Sequence, residues 1–155
     1  MASFTTVSLR IDFNQELEVV PARCLSENGS IFELLACPGL AEGAAAGDVV
    51  MVAHDGSFSV VRRAGNVAIH AIASPEVDAD VMEVAFKREL TRVGGRLDGG
   101  IGGIRVYCVS ATVGFPAIEA ACSAALASCP GAQWMYANVY ELGTQTPLPW
   151  VLAYS

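Results

Sequence analysis

Lysine is almost missing from this sequence. Lys87 is the single copy, histidine occurs only at His54 and His70, and Lys plus Arg number 9 against 16 Asp plus Glu. The resulting net charge of −7 argues against nucleic acid and anionic membrane as direct partners, because both are held by Lys and Arg neutralising phosphate. No apolar run approaches the ~20 residues of a membrane-spanning helix; residues 115–126 come nearest and contain Glu119 and Ser123. Residues 1–13 lack a basic stretch leading into an apolar one, so no secretion signal is read and a cytoplasmic location is expected. The five cysteines (Cys24, Cys37, Cys108, Cys122, Cys129) show no C-x-x-C spacing, which gives neither a zinc-ribbon nor a disulfide pattern. Each is expected as a small core residue, and no metal or cofactor is expected.

What is present is enough to fold. With 155 residues and 53% apolar content the chain can bury a sizeable core as one domain, 1–155. Residues 1–73 read as a β-rich part, 74–140 as an α/β part and 141–155 as an irregular tail. Alternation over 4–13 and 17–26 predicts two strands, with Pro21 placing the second at an edge or bulge. Further short strands follow at 30–36, 48–53, 57–63 and 66–73, with His54-Asp55-Gly56 as a hairpin turn and 37–47 as a loop. Ser74 reads as the N-cap of a helix reaching about Val93, with Met82, Phe86, Leu90 and Val93 as its apolar stripe and Glu83 facing Lys87. The glycine-rich 94–103 reads as a mobile connector. After it come a strand (104–113), a helix from about Pro116 to Cys129, and a strand (133–140) with Trp134, Tyr136 and Tyr140 on one face. The expectation is an α+β fold: a small bent antiparallel sheet or partial barrel continuing into a split β-α-β, ferredoxin-like unit with two helices on one face.

Candidate chemistry is sparse. His54 and Asp55 are neighbours in a turn and seldom point at one another; His70 falls in a strand. The glycines of 94–103 follow a helix and precede a strand, the reverse of a phosphate-binding loop. Ser110, Thr112 and Ser123 have no G-x-S-x-G surroundings. Asp78 and Asp80 complement a helix dipole. No catalytic residue is assigned, and no enzyme activity is expected.

The feature left over is acid. Residues 1–60 carry Asp12, Glu16, Glu18, Glu27, Glu33, Glu42, Asp48 and Asp55 against Arg10 and Arg23, alternating with apolar residues, so most are expected to face water. A one-sided acidic face suits a basic protein partner, with charge steering the encounter. Turns and loops present carboxylates most freely, which selects Glu27, Glu42, Asp48 and Asp55 as partner-binding residues.

The stretch Gly47-Asp48-Val49-Val50, with Phe58-Ser59-Val60-Val61-Arg62-Arg63-Ala64-Gly65-Asn66-Val67 after a hairpin, resembles the core pattern of a small bacterial domain family of unknown function. Ile31-Phe32-Glu33-Leu34 and Leu90-Thr91-Arg92-Val93-Gly94-Gly95 fit the same layout, and the likeness covers roughly residues 30–140. Members of such families are often immunity proteins of contact-dependent growth inhibition or other polymorphic toxin systems. The resemblance therefore implies a cytoplasmic antitoxin that binds a cognate basic toxin domain, a nuclease being one case, and occludes its active site or substrate groove. It brings no catalytic residues. The alternatives are a small-molecule-binding module or uncharacterised enzyme with a pocket between the two halves, and an oligomerisation domain using the Trp134 and Tyr136 face.

Overall fold

The computed structural model of the chain describes residues 3–154. Its first half is a five-stranded antiparallel meander, β1 (Ser3–Arg10), β2 (Leu17–Cys24), β3 (Ile31–Leu34), β4 (Val49–Val52) and β5 (Phe58–Arg62), in spatial order β1-β2-β3-β4-β5. Alternation sends Val7, Leu9, Val20, Ala22, Leu34 and Val50 to one face, where they pack with Ala41 and Ala44 of the β3–β4 loop. A bulge at Val49/Val50 bends the sheet.

The bend brings the β4–β5 turn back onto β1: the Arg10 N–H donates to the Gly56 carbonyl at 2.9 Å, and the Arg10 guanidinium binds the Asp55 carbonyl. Gly56 has φ +87°, the left-handed region that favours glycine, and a Cβ there would also displace the Leu17 side chain. The sheet is strongly curled without closing into a barrel.

Pro21 departs from the expectation of an edge or bulge. It sits in β2, between β1 and β3, opposite Thr6. Its carbonyl accepts from the Leu35 N–H at 3.0 Å, so its nitrogen faces the side where the β3 ladder ends at Leu34 and no donor is missed.

The second half runs β6 (Asn66–Ala73), α1 (Ala79–Thr91), β7 (Arg96–Ile101), β8 (Ile104–Ser110), α2 (Phe115–Ser128) and β9 (Ala132–Tyr136). The strands form a four-stranded antiparallel sheet in order β7-β8-β6-β9. With both helices against one face this is a complete β-α-β-β-α-β unit, and the class is α+β. The expected connector at 94–103 is thus largely the edge strand β7, bulged between Leu97 and Gly99 and turned by Gly102 at φ +56°. Glycine weakened the strand signal, whereas pairing to β8 decides the outcome.

Helix α1 begins five residues after Ser74. Asp78 is its N-cap, accepting from the Asp80 N–H at 2.8 Å. Residues 74–77 form a turn that lies against Gly131, with Val77 reaching the helix-side core. Glu83 bonds Arg105 of β8 at 2.7 Å. The core itself joins Val67, Ile69 and Ala71 of β6 to Met82, Phe86 and Leu90 of α1, Tyr107 of β8, and Ile118, Cys122 and Ala125 of α2. Val93, expected in the stripe, is half-buried at its edge.

Strand β6 is buried on both faces. Its far side, with Val106 and Cys108 of β8, is covered by Cys37, Ala45 and Ala46 of the β3–β4 loop, which therefore fills the space between the two sheets. Asn138, fully buried, extends the β9–β6 ladder with its side chain: Oδ1 accepts from the Ala68 N–H and Nδ2 donates to the Asn66 carbonyl, each at 2.9 Å. The tail ends in a 3-10 turn (Pro149–Tyr154), and Trp150 Nε1 donates to the Asn138 carbonyl. No helix among the described residues is long and apolar enough to cross a membrane.

Candidate functional site

The acidic residues of the first half divide into two groups, and only one faces water. Glu18 is half-buried and accepts from the Gly39, Leu40 and Ala41 N–H groups at 2.6–2.9 Å. Asp48 is 1% exposed and accepts from the Ala45 and Ala64 N–H groups, both at 2.9 Å, with Arg63 at 3.4 Å. Glu33 is bound by Arg23 at 2.7 Å. Glu18 and Asp48 organise the backbone of the β3–β4 loop by supplying acceptors for its buried and partly buried amides.

Asp48 is accordingly withdrawn from the partner-binding set. Burial raises its carboxyl above the ordinary range, while the Ala64 and Ala45 amides and Arg63 pull the other way.

The other three predicted contact residues are separated. Glu27 is exposed in the β2–β3 turn. Asp55 is exposed at the β4–β5 turn, where its carboxylate accepts from the Ser57 N–H and hydroxyl, which together with nearby Arg10 lowers its pKa. Their two turns border one shallow groove through Asn28, Ser30, His54 and Gly56. Glu42 lies elsewhere, in the wall of a larger cleft.

That cleft, about 780 Å³, opens between the halves. The first half contributes Asp12, Phe13 and Glu42; the second contributes Glu119 of α2, Trp134, Met135 and Tyr136 of β9, and Tyr140 with the 141–145 loop. Four carboxylates (Asp12, Glu42, Glu119, Glu141) line it, and among the described lining residues there is no Lys, Arg or His. Trp134 and Tyr136 meet edge to face at 4.9 Å, Phe115 meets Tyr136 the same way at 5.6 Å, and Tyr140 lies 6.2 Å from Tyr136. The Tyr136 hydroxyl donates to Glu119 Oε2 at 2.9 Å.

The electrostatics follow from this lining. Burial, then the negative charge of Asp12, raises the Glu42 carboxyl above its ordinary range. Burial and the carboxylate of Glu119 push the Tyr136 phenol well above its ordinary value, so it stays a neutral donor. Crowded carboxylates beside aromatic faces attract a positive group twice, through charge and through the ring quadrupoles. Glu119, and its bond to Tyr136, escape sequence reasoning because α2 and β9 are separate elements. The alternation that places Trp134, Tyr136 and Tyr140 on one side was the one available signal.

Neither histidine bonds an acidic or nucleophilic side chain among the described residues. His70 is buried and its Nε2 bonds the Pro38 carbonyl at 2.9 Å; burial lowers its pKa. His54 stays in the hairpin turn. The structure does bring together one set that spacing could not foretell: Cys37, Asp98 and Cys108 place their ligand atoms within 4.8 Å of one another.

A search of curated proteins finds no match. Among solved structures, a hypothetical protein from Neisseria gonorrhoeae is similar, with a TM-score of 0.60 and 14% identity over 88% of this chain and 94% of that one. At that identity the likeness establishes a shared fold. The sequence matches the family described as Domain of unknown function (DUF4265) over residues 18–128, and the chain belongs to that family.

Proposed function

We propose that this chain is a binding protein rather than an enzyme, and that its acidic aromatic cleft receives a cationic side chain from a basic protein partner. The observation that carries this reading is the lining itself: four carboxylates, three mutually packed rings (Trp134, Tyr136, Tyr140) and, among the described residues, no lining cation of the protein's own. A Lys or Arg entering the cleft would relieve the crowding between Glu42 and Asp12 and lie against Trp134 and Tyr140. The net charge of −7 would steer such a partner toward the chain. Glu27 and Asp55, exposed on turns at a separate groove, add to the negative charge that would steer it.

In its specific form the partner is a cognate toxin domain. The chain would then be a cytoplasmic immunity protein that neutralises a basic toxin, a nuclease being one case, by occluding its active site or substrate groove. The family resemblance suggested that form, and the acidic cleft is compatible with it.

The test is a pull-down of the tagged protein from its native host at low and high salt, with a Glu42→Gln/Glu119→Gln variant alongside. Gln keeps an acceptor for the Tyr136 hydroxyl, so folding should be spared. Recovery of a basic toxin domain by the wild type, weakened by salt and lost with the variant, supports the reading. Equal capture by both would remove the cleft from the account.

One observation favours a second reading. The cleft volume of about 780 Å³ lies within the range of small-molecule sites, and it opens between the two halves. A free organic amine or guanidine would use the same lining, and thermal stabilisation by such compounds in the absence of protein partners would favour it.

A further inference from the structure

We propose that Cys37, Asp98 and Cys108 form a binding site for a thiophilic divalent cation of the Zn²⁺ class. The three come from different parts of the fold: Cys37 from the β3–β4 loop, Asp98 from β7 and Cys108 from β8. Their ligand atoms lie within 4.8 Å of one another. Around a tetrahedral ion with metal–sulfur bonds of about 2.3 Å and metal–oxygen bonds of about 2.1 Å, ligand atoms stand roughly 3.3–3.8 Å apart, inside that limit.

The surroundings orient the ligands. Asp98 Oδ2 accepts from the Cys37 N–H at 2.7 Å, and Oδ1 accepts from Arg96 Nε at 2.7 Å, which fixes the carboxylate while leaving lone pairs on both oxygens. Cys37 Sγ accepts from the Ala46 N–H at 3.3 Å, which fixes the direction of its side chain. Cys37 and Cys108 are 3% and 4% exposed, and the Asp98 side chain is 5% exposed.

Charge closes at the site. Two thiolates and one carboxylate carry −3, and a divalent cation with Arg96 supplies +3. Metal binding would release both thiol protons.

A route and a fourth position are available. A cavity of about 430 Å³ is lined by Cys37 and Asp98 together with Glu18, Pro38, Gly99 and Val106, so a water could complete the tetrahedron from that side. Because Cys37 belongs to the loop filling the space between the sheets and Cys108 to the second sheet, the ion would tie the two halves together.

The experiment uses the full chain, reduced and stripped with a chelator, titrated with Co²⁺ as a spectroscopic probe and with Zn²⁺ for calorimetry, thermal melting and X-ray absorption. The proposal expects one equivalent bound, a thiolate-to-cobalt charge-transfer band, two sulfur scatterers around zinc and a raised melting temperature. Cys37→Ser and Cys108→Ser should each weaken binding by more than about tenfold and Asp98→Asn by about tenfold, while Cys122→Ser leaves it unchanged. Wild-type protein that binds zinc without sulfur scatterers, that shows no charge-transfer band, or that forms a Cys37–Cys108 disulfide in place of binding metal would overturn the proposal. Those wild-type readouts decide the matter even where a serine variant fails to fold.

Discussion

Replacing Asp48 separates a structural carboxylate from a contact residue. Its side chain is 1% exposed, and it is the acceptor for the buried Ala45 N–H and for the Ala64 N–H in a partly buried bond. Asp48→Ala leaves both without a partner, and each such loss costs about 1–3 kcal/mol. Arg63 also loses its counter-charge, though it keeps the Gly43 carbonyl at 2.7 Å and its position over the Trp150 ring. The expected destabilisation is about 4 kcal/mol, a large share of the roughly 5–15 kcal/mol that holds a domain together. Asp48→Asn keeps one acceptor oxygen and turns an amide N–H₂ toward the other donor, so about 2 kcal/mol is expected. Urea unfolding followed by tryptophan fluorescence measures both, provided the slope is unchanged between variants. A loss below about 0.5 kcal/mol for Asp48→Ala, the ordinary range for surface positions, would refute the reasoning.

Three further outcomes are expected. Gly56→Ala forces a Cβ into Leu17 at φ +87° and should cost about 1–3 kcal/mol; faster hydrogen exchange at the Arg10 amide, which donates to the Gly56 carbonyl, is the local readout. Phe86→Ala empties a fully buried position stacked on Tyr107 at 6.0 Å and should cost about 3–5 kcal/mol by denaturation. His70 has a folded pKa held below its ordinary 6.5 by burial, so its stabilising contribution is present above about pH 6.5 and is lost as pH falls through the folded value. Unfolding free energies measured from about pH 7.5 down to about pH 5 should therefore fall less for His70→Gln than for the wild type, and parallel curves would contradict that assignment.

Much of the fold was legible because local signals and tertiary outcome agree. The Asp-Gly turn at 55–56, the alternation of β1 and β2, and the α1 stripe of Met82, Phe86 and Leu90 are all set within short windows. Where they failed, distance in sequence was the reason. Strand β7 is glycine-rich and exists through its ladder to β8; Asp78 outcompetes Ser74 as a cap because 74–77 packs against Gly131.

The candidate site was less legible. Alternating carboxylates look solvated, yet Glu18 and Asp48 turn inward to bond loop amides from elsewhere in the chain. Glu42 was singled out, but its neighbours Glu119 and Tyr136 lie 77 and 94 residues away, and no spacing rule links them. Cys37 and Cys108, 71 residues apart, meet only because the β3–β4 loop is trapped between the sheets.

The central claim is that the cleft accepts a positive group, and the two tryptophans allow a direct test. Trp134 lines the cleft, whereas the Trp150 indole is committed to the Asn138 carbonyl. Titration with a short arginine-rich peptide, followed by the indole N–H signals in NMR, should move Trp134 and leave Trp150 in place. The shift should saturate, weaken with salt, and need at least about tenfold more peptide in the Glu42→Gln/Glu119→Gln variant. A Trp134 signal that stays fixed, or moves equally in the variant, would contradict the account.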